Sequence, residues 1–163
     1  MASAGLRGGM PILTYRDATP GDLPFIVGLI ESDAVSAARD APASADAERQ
    51  REGLAAITAD PNHRLLVVEA DGEAVGSFQL SFIPGVARGG AWRGQIEAVR
   101  VADDRRGEGI GGAMMRWAID QCRERGCGLV QLTSDRQRDA AHRFYVRLGF
   151  APSHTGFKMQ LDA

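Results

Sequence analysis

Two periodicities share this chain. Leu65, Leu66, Val67 and Val68 form a short apolar run within His63–Ala70, and the turn Asp71-Gly72 joins it to a second strand-like stretch, Glu73–Ile83. Asp-Gly between two such runs signals a hairpin, because both turn positions need a positive φ that Asp and Gly tolerate well. A third stretch, Gln95–Val101, follows the loop Pro84–Gly94, which holds Trp92, Arg88 and Arg93. The spacing then changes. Met115, Ala118, Ile119 and Cys122 mark one face of a helix over Gly109–Arg125, which Gly126 stops. Leu129–Thr133 reads as the next strand. A strand, a helix and a strand in succession need a parallel crossover, so the sheet is expected to be mixed.

On either side of this middle the pattern is thinner. Ile12–Arg16 reads as a short strand, and Thr19-Pro20-Gly21-Asp22 opens a helix, with Thr19 as cap and Pro20 in the first turn. That helix directs Leu23, Phe25, Ile26, Leu29 and Ile30 inward. Ser32–Asp46, rich in Ala, Ser and Asp, reads as a mobile connection to a second helix, Ala47–Ala59, ended by Asp60-Pro61-Asn62. A helix around Asp139–Leu148 follows the middle, then two short strands, one near Phe150 and one over Phe157–Leu161. Residues 1–10 show no periodicity and read as a flexible extension, with 11–163 as a single domain.

Composition narrows the classes. No apolar run approaches the roughly 20 residues needed to span a bilayer, so no membrane insertion is expected. Nineteen basic against twenty-one acidic side chains give a net charge of -2, which argues against a nucleic-acid partner. Cys122 and Cys127, five positions apart, suggest neither a disulfide framework nor, with the scattered histidines, a metal site. Met1–Gly9 lacks the apolar core of a secretory signal, so a cytoplasmic protein is expected.

The chemistry concentrates in Arg105-Arg106-Gly107-Glu108-Gly109-Ile110-Gly111-Gly112, between a strand and a long helix. A helix start with glycines lets bare N–H groups approach a phosphate. Three signatures compete for it. The nucleotide-hydrolysing loop fits at Gly107 and Gly112, but Ala113 and Met114 replace its Lys and Ser/Thr. The dinucleotide fingerprint fits at Gly107, Gly109 and Gly112, with Asp135 further on, yet five residues separate it from its strand and hairpins precede it. The third signature, [Arg/Gln]-x-x-Gly-x-[Gly/Ala], is met by Arg106, Gly109 and Gly111.

With Glu97-Ala98-Val99-Arg100-Val101 before this turn and Ala141-His142-Arg143-Phe144-Tyr145-x-x-Leu148-Gly149-Phe150 after it, the chain resembles the GCN5-related N-acetyltransferase (GNAT) family from Ile12 to Leu161. The resemblance implies an α/β fold: a mixed, mostly antiparallel sheet of about six to seven strands with about four helices. It also implies acetyl-CoA as cosubstrate and no metal. Val99 and Val101 would pair with the pantetheine arm, and Arg106, Gly107, Gly109, Gly111 and Gly112 would take the pyrophosphate. Ala141, Phe144 and Arg138 would complete the cofactor site, although many members carry Asn where Arg138 stands.

An amine acceptor with a pKa near 10.4 is neutral in only about one molecule in 10³ at pH 7, a cost of about 4–5 kcal/mol. Glu97 resembles the family position that takes the amine proton, and Tyr145 the one that protonates the departing thiolate. Direct attack in a ternary complex is expected, since both cysteines belong to structural positions. The acceptor, a small amine or a protein amino group, is expected to meet the segments Val35–Asp46 and Pro84–Arg93. A non-catalytic acyl-CoA sensor is the alternative, and a homodimer is an expectation from the last strand.

Overall fold

A computed structural model describes residues 11–33 and 46–161. The expected extension over residues 1–10 and most of the expected connection Ser32–Asp46 lie outside these residues. Five strands, β1 (Leu13–Asp17), β2 (His63–Ala70), β3 (Glu73–Ile83), β4 (Trp92–Val101) and β5 (Cys127–Leu132), form one sheet in sequence order. The first four are antiparallel, and β4 and β5 are parallel from Trp92↔Cys127 to Ile96↔Leu132. At the β2–β3 turn, Asp71 and Gly72 take φ of 52° and 83°, the left-handed pair that a tight hairpin needs.

Among the described residues four helices of nine residues or more accompany the sheet, α1 (Leu23–Glu31), α2 (Ala47–Ala59), α3 (Ile110–Glu124) and α4 (Asp139–Arg147), besides a single turn at Ala87–Gly90. Strand alternation sorts them by face. Leu66 and Val68 of β2 join a core with Phe78, Ile96 and the α3 residues Ile110, Met114, Met115, Ala118 and Cys122. Val67, between them, points the other way to Ile26 of α1 and Leu54 of α2. Trp117 of α3 stacks on Tyr15 of β1 at 4.5 Å, with Phe78 edge-on at 6.0 Å, and so pins the helix across the sheet.

Two glycines allow α3 to sit this low. A Cβ at Gly76 would lie 2.8 Å from the Arg100 carbonyl oxygen and 3.1 Å from Met114 Sδ. A Cβ at Gly94 would collide with Cys122 Sγ. Cys122 is buried and free, and that burial pushes its thiol up to about 12. At the start of α1, Asp22 accepts both guanidinium arms of Arg16 at 2.8 Å and the Thr19 N–H at 2.7 Å. The Arg16 bonds, more than the Thr19 bonds, hold the Asp22 carboxyl well below the usual carboxylate range and tie β1 to the helix.

The sequence expectations need three corrections. The fourth strand begins at Trp92 rather than Gln95, because Arg93 and Gly94 already pair with Ile83 and Phe82 of β3 and with Leu129 and Val130 of β5. The fifth begins at Cys127 and ends at Leu132. No strand forms near Phe150 or over Phe157–Leu161, so the sheet among the described residues has five strands, not six to seven. The apolar alternation of that segment is real, but a strand exists only as half of a ladder, and residues 151–161 make none.

Candidate active site

The site is set by a flaw in β4. Gln79 pairs with Glu97 and Ser77 with Arg100, so Ala98 and Val99 together face the single residue Phe78. This is a bulge, and Ala98 carries it at φ 51°, a left-handed conformation costing a non-glycine residue about 1–2 kcal/mol. Pairing with β5 stops one residue earlier, at Ile96↔Leu132. Beyond it β4 runs without a strand neighbour on its β5 side among the described residues. Ala102 N–H donates to the Val75 carbonyl at 2.9 Å, so by strand alternation Val99 and Val101 turn their peptide groups toward the vacated side. The strand therefore offers an extended edge with no strand beside it, on which the Val99 carbonyl accepts from Arg100 Nη1 at 2.9 Å.

The glycine turn closes one end of that edge. A 3₁₀ turn, Asp103–Arg105, leads to Gly107 and Gly109 at φ 85° and 81°. Left-handed Gly109 caps α3, whose ladder opens with Ala113 N–H donating to the Gly109 carbonyl at 3.1 Å. From Gly107 to Gly112 no N–H has a backbone acceptor outside the helix among the described residues. These are the bare donors that an anion requires at a helix start. Arg105 and Arg106 flank the turn, fixed by ion pairs to Glu108 at 3.0 Å and Asp103 at 2.7 Å.

Helix α4 supplies the facing wall. A Cβ placed on Gly111 would lie 3.8 Å from both Phe144 Cζ and Val101 Cγ2, so the turn, the open strand and α4 meet at this point. Tyr145, next to Phe144, packs at 5.2 Å from it and at 6.0 Å from Phe150. Burial raises the pKa of its phenol above the ordinary 10, while the charges of Arg100 and Arg138 oppose that rise. Its hydroxyl makes no hydrogen bond to a described residue and is not sealed from solvent. Ala141 is half-buried one turn before Tyr145.

Glu97 lies just upstream of the bulge, exposed, and its carboxylate makes no hydrogen bond or ion pair among the described residues. Arg138, the α4 cap position, turns its guanidinium onto Asp33, with two bonds of 2.7 and 2.6 Å. Arg100 Nε reaches the same carboxylate at 3.3 Å. This buried knot joins the end of α1 to β4 and α4 beside Tyr145. Sequence reasoning missed Asp33 and the strain at Ala98, and gave Arg100 no role. An Asp at the end of an apolar helix is one signal for the first, whereas alanine gives no hint of a positive φ.

Other expectations find plainer places. His142, expected to face solvent, is half-buried, and its Nε2 lies 2.8 Å from the Asp135 carbonyl oxygen. His63 bonds Ser81 at 2.8 Å. Among the described residues no group of three acidic, His or Cys side chains could hold a metal, and no helix is long and apolar enough to cross a membrane. The loop before β4 borders a cavity of about 480 Å³ with Leu129 and Gln131 of β5, at the opposite end of β4 from the glycine turn.

A mixed sheet with a bulged, one-sided strand running into a glycine-capped helix defines an acyltransferase architecture. The chain belongs to the acetyltransferase (GNAT) family, whose model matches residues 31–150. It is 31% identical to the aminoalkylphosphonate N-acetyltransferase of Salmonella typhimurium, over 93% of this chain and 94% of that one. It is also 31% identical to the streptothricin acetyltransferase of Streptomyces lavendulae, over 84% and 80% of the two chains. Among solved structures, one described as a transcriptional regulator from Bacillus halodurans superimposes with a TM-score of 0.82 at 39% identity, covering 92% of this chain and all of that one. Relatives and family together place the chain among the N-acetyltransferases.

Proposed function

We propose that this chain transfers the acetyl group of acetyl-CoA to a primary amine on a small molecule by direct attack in a ternary complex. The observation that carries this reading is the open edge of β4 running straight into the bare N–H groups of Gly107–Gly112. An extended pantetheine with two amides matches the first, and a pyrophosphate matches the second. Val99 and Val101 pair with the arm, Arg106 and the glycines hold the pyrophosphate, and Ala141 and Phe144 form the wall. Arg138 adds positive charge beside Tyr145, held there by Asp33.

In the reaction the neutral amine nitrogen bonds to the thioester carbonyl carbon, and the carbon–sulfur bond breaks as the tetrahedral adduct collapses. The amine proton passes to Glu97 through water, and the thiolate takes a proton from the Tyr145 hydroxyl. Relatives named for an aminoalkylphosphonate and for streptothricin support a small, polar acceptor. A protein amino group is the wider alternative.

An amine panel mixed with acetyl-CoA, followed by release of free thiol, tests the reading. Tyr145→Phe and Glu97→Gln are each expected to lower kcat by roughly 10²-fold or more while leaving the KM for acetyl-CoA nearly unchanged. Full activity in both variants would remove these roles. The likeness to a protein described as a transcriptional regulator favours a second reading, an acyl-CoA sensor without turnover. Tight binding of acetyl-CoA with no thiol release across the panel would establish it.

A further inference from the structure

Glu97 belongs to a polar row that runs down β4. Pairing with β3 is regular from Arg93↔Ile83 to Glu97↔Gln79, so Arg93, Gln95 and Glu97 share one face of the sheet. Gly94 and Ile96, between them, meet Cys122 and the core under α3, so the row looks away from that helix. Strand β5 widens it: Leu129 and Gln131 pair with Arg93 and Gln95, and Gln131 Nε2 donates to Gln95 Oε1 at 2.7 Å. On β3, Ser81 lies beside Gln95 and Gln79 beside Glu97. A face that is polar over three strands is a poor wall for an apolar core and a good floor for a polar ligand.

At its far end the row enters the 480 Å³ cavity. Arg88, Arg93 and Gln131 give the wall its polar side chains, and no acidic side chain lines it among the described residues. Arg93 is half-buried, with Nη1 3.7 Å from the place a Cβ on Gly85 would take, so its guanidinium lies under the loop. The other arginines on the strands are each matched by a carboxylate, Arg16 by Asp22, Arg64 by Asp17 and Arg100 by Asp33. Arg93 makes no hydrogen bond or ion pair with a described residue. A half-buried guanidinium lacking a partner loses hydration without return, and a carboxylate or phosphate that reaches it restores two charge-assisted bonds at once.

We propose that the acceptor is a short amine whose far end is an anion, a carboxylate or phosphate group, and that Arg93 holds this end while the amine lies at Glu97. The proposal rests on the reading of Glu97 as the group that takes the amine proton. The cofactor edge begins beyond the bulge and the cavity lies at the other end of β4, so the two substrates approach from opposite ends and meet at Glu97. Four residues of strand separate Arg93 from Glu97, roughly 13 Å between Cα atoms, and the long arginine side chain shortens the span. A negative group at one end of the row and a positive group at the other accept such an amine in one orientation and repel the reverse one. Arg88, in the loop over the cavity, adds a second positive charge.

Initial rates with matched acceptors test this: amines of equal length ending in a carboxylate or a phosphate, each against its neutral amide or alcohol. The unaltered protein is expected to favour the anionic member by about tenfold or more in kcat/KM. Arg93→Met, which keeps most of the side-chain bulk, is expected to erase that preference by raising the KM of the anionic amines, with the KM for acetyl-CoA and the far-ultraviolet circular dichroism spectrum unchanged. Arg93→Lys is expected to keep part of it. Inorganic phosphate is expected to compete with the anionic amine. Equal rates for the paired amines on the unaltered protein, or a preference that survives Arg93→Met, overturn the anion site while acetyl transfer stands. No turnover of any amine overturns acetyl transfer and this acceptor together; a rise in Tm with phosphate that Arg93→Met loses then marks the cavity as a site for a free anion instead.

Discussion

Tyr145 is kept neutral by its surroundings. Burial raises its pKa above 10, and the nearby guanidinium charges of Arg100 and Arg138 only partly oppose that. A group whose pKa is raised in the fold keeps its proton below that value and loses it only as the pH climbs past it. The phenol is therefore available as a donor throughout the neutral and mildly alkaline range. A pH profile of kcat is expected to show no falling limb from this residue below about pH 10. A falling limb at pH 8 or 9 that disappears in Tyr145→Phe would contradict the buried, neutral phenol. At this scale the sequence singled out Glu97 and Tyr145, the side chains proposed to react, since both sit in recognisable surroundings. It did not show the Asp33 knot, because two residues 105 positions apart meet only through the fold.

Strand β4 shows how a local irregularity leaves an edge without a strand beside it. The hairpin at Asp71-Gly72 and the crossover through α3 were legible, because turn chemistry and helical spacing are written in neighbouring residues. The bulge was not, because Ala98 has no preference for the φ of 51° that it adopts. Likewise the alternation of 157–161 was legible while its lack of a partner was not, since pairing is a property of the sheet. Replacing Ala98 by Gly removes the left-handed penalty of about 1–2 kcal/mol and adds about 0.5–1 kcal/mol of chain entropy, so stability is expected to stay level or rise slightly. Ala98→Val, β-branched at the same φ, is expected to lose about 1–2 kcal/mol in urea unfolding and to raise the KM for acetyl-CoA. A neutral valine would mean that the bulge is absent in solution.

Across the whole molecule, α3 lies on one face of the sheet and α1 and α2 on the other, while the glycine turn projects from the end of β4 with few bonds of its own. A ligand that supplies those missing partners binds the folded chain and not the unfolded one. Acetyl-CoA at 100 times its Kd is expected to add about 2.7 kcal/mol of stability, which for a chain of this length raises Tm by roughly 5–10 °C. Gly109→Ala, strained at φ 81°, is expected to shrink that shift while leaving the unliganded protein folded. An equal shift in the variant would remove the turn from the cofactor site.

The sulfur wedged against Gly94 turns the protein into its own clock. Alkylating reagents attack thiolates, and Cys122 is both enclosed and held as the thiol by a pKa pushed up to about 12. Its labelling must wait for α3 to lift from the sheet, whereas half-buried Cys127 is open to the reagent sooner. Mass spectrometry of a timed alkylation is expected to show one fast and one slow adduct, the slow rate tracking global opening. With acetyl-CoA present the slow adduct should be delayed further, so a single unmodified cysteine reports both the stability of the fold and the occupancy of its cleft.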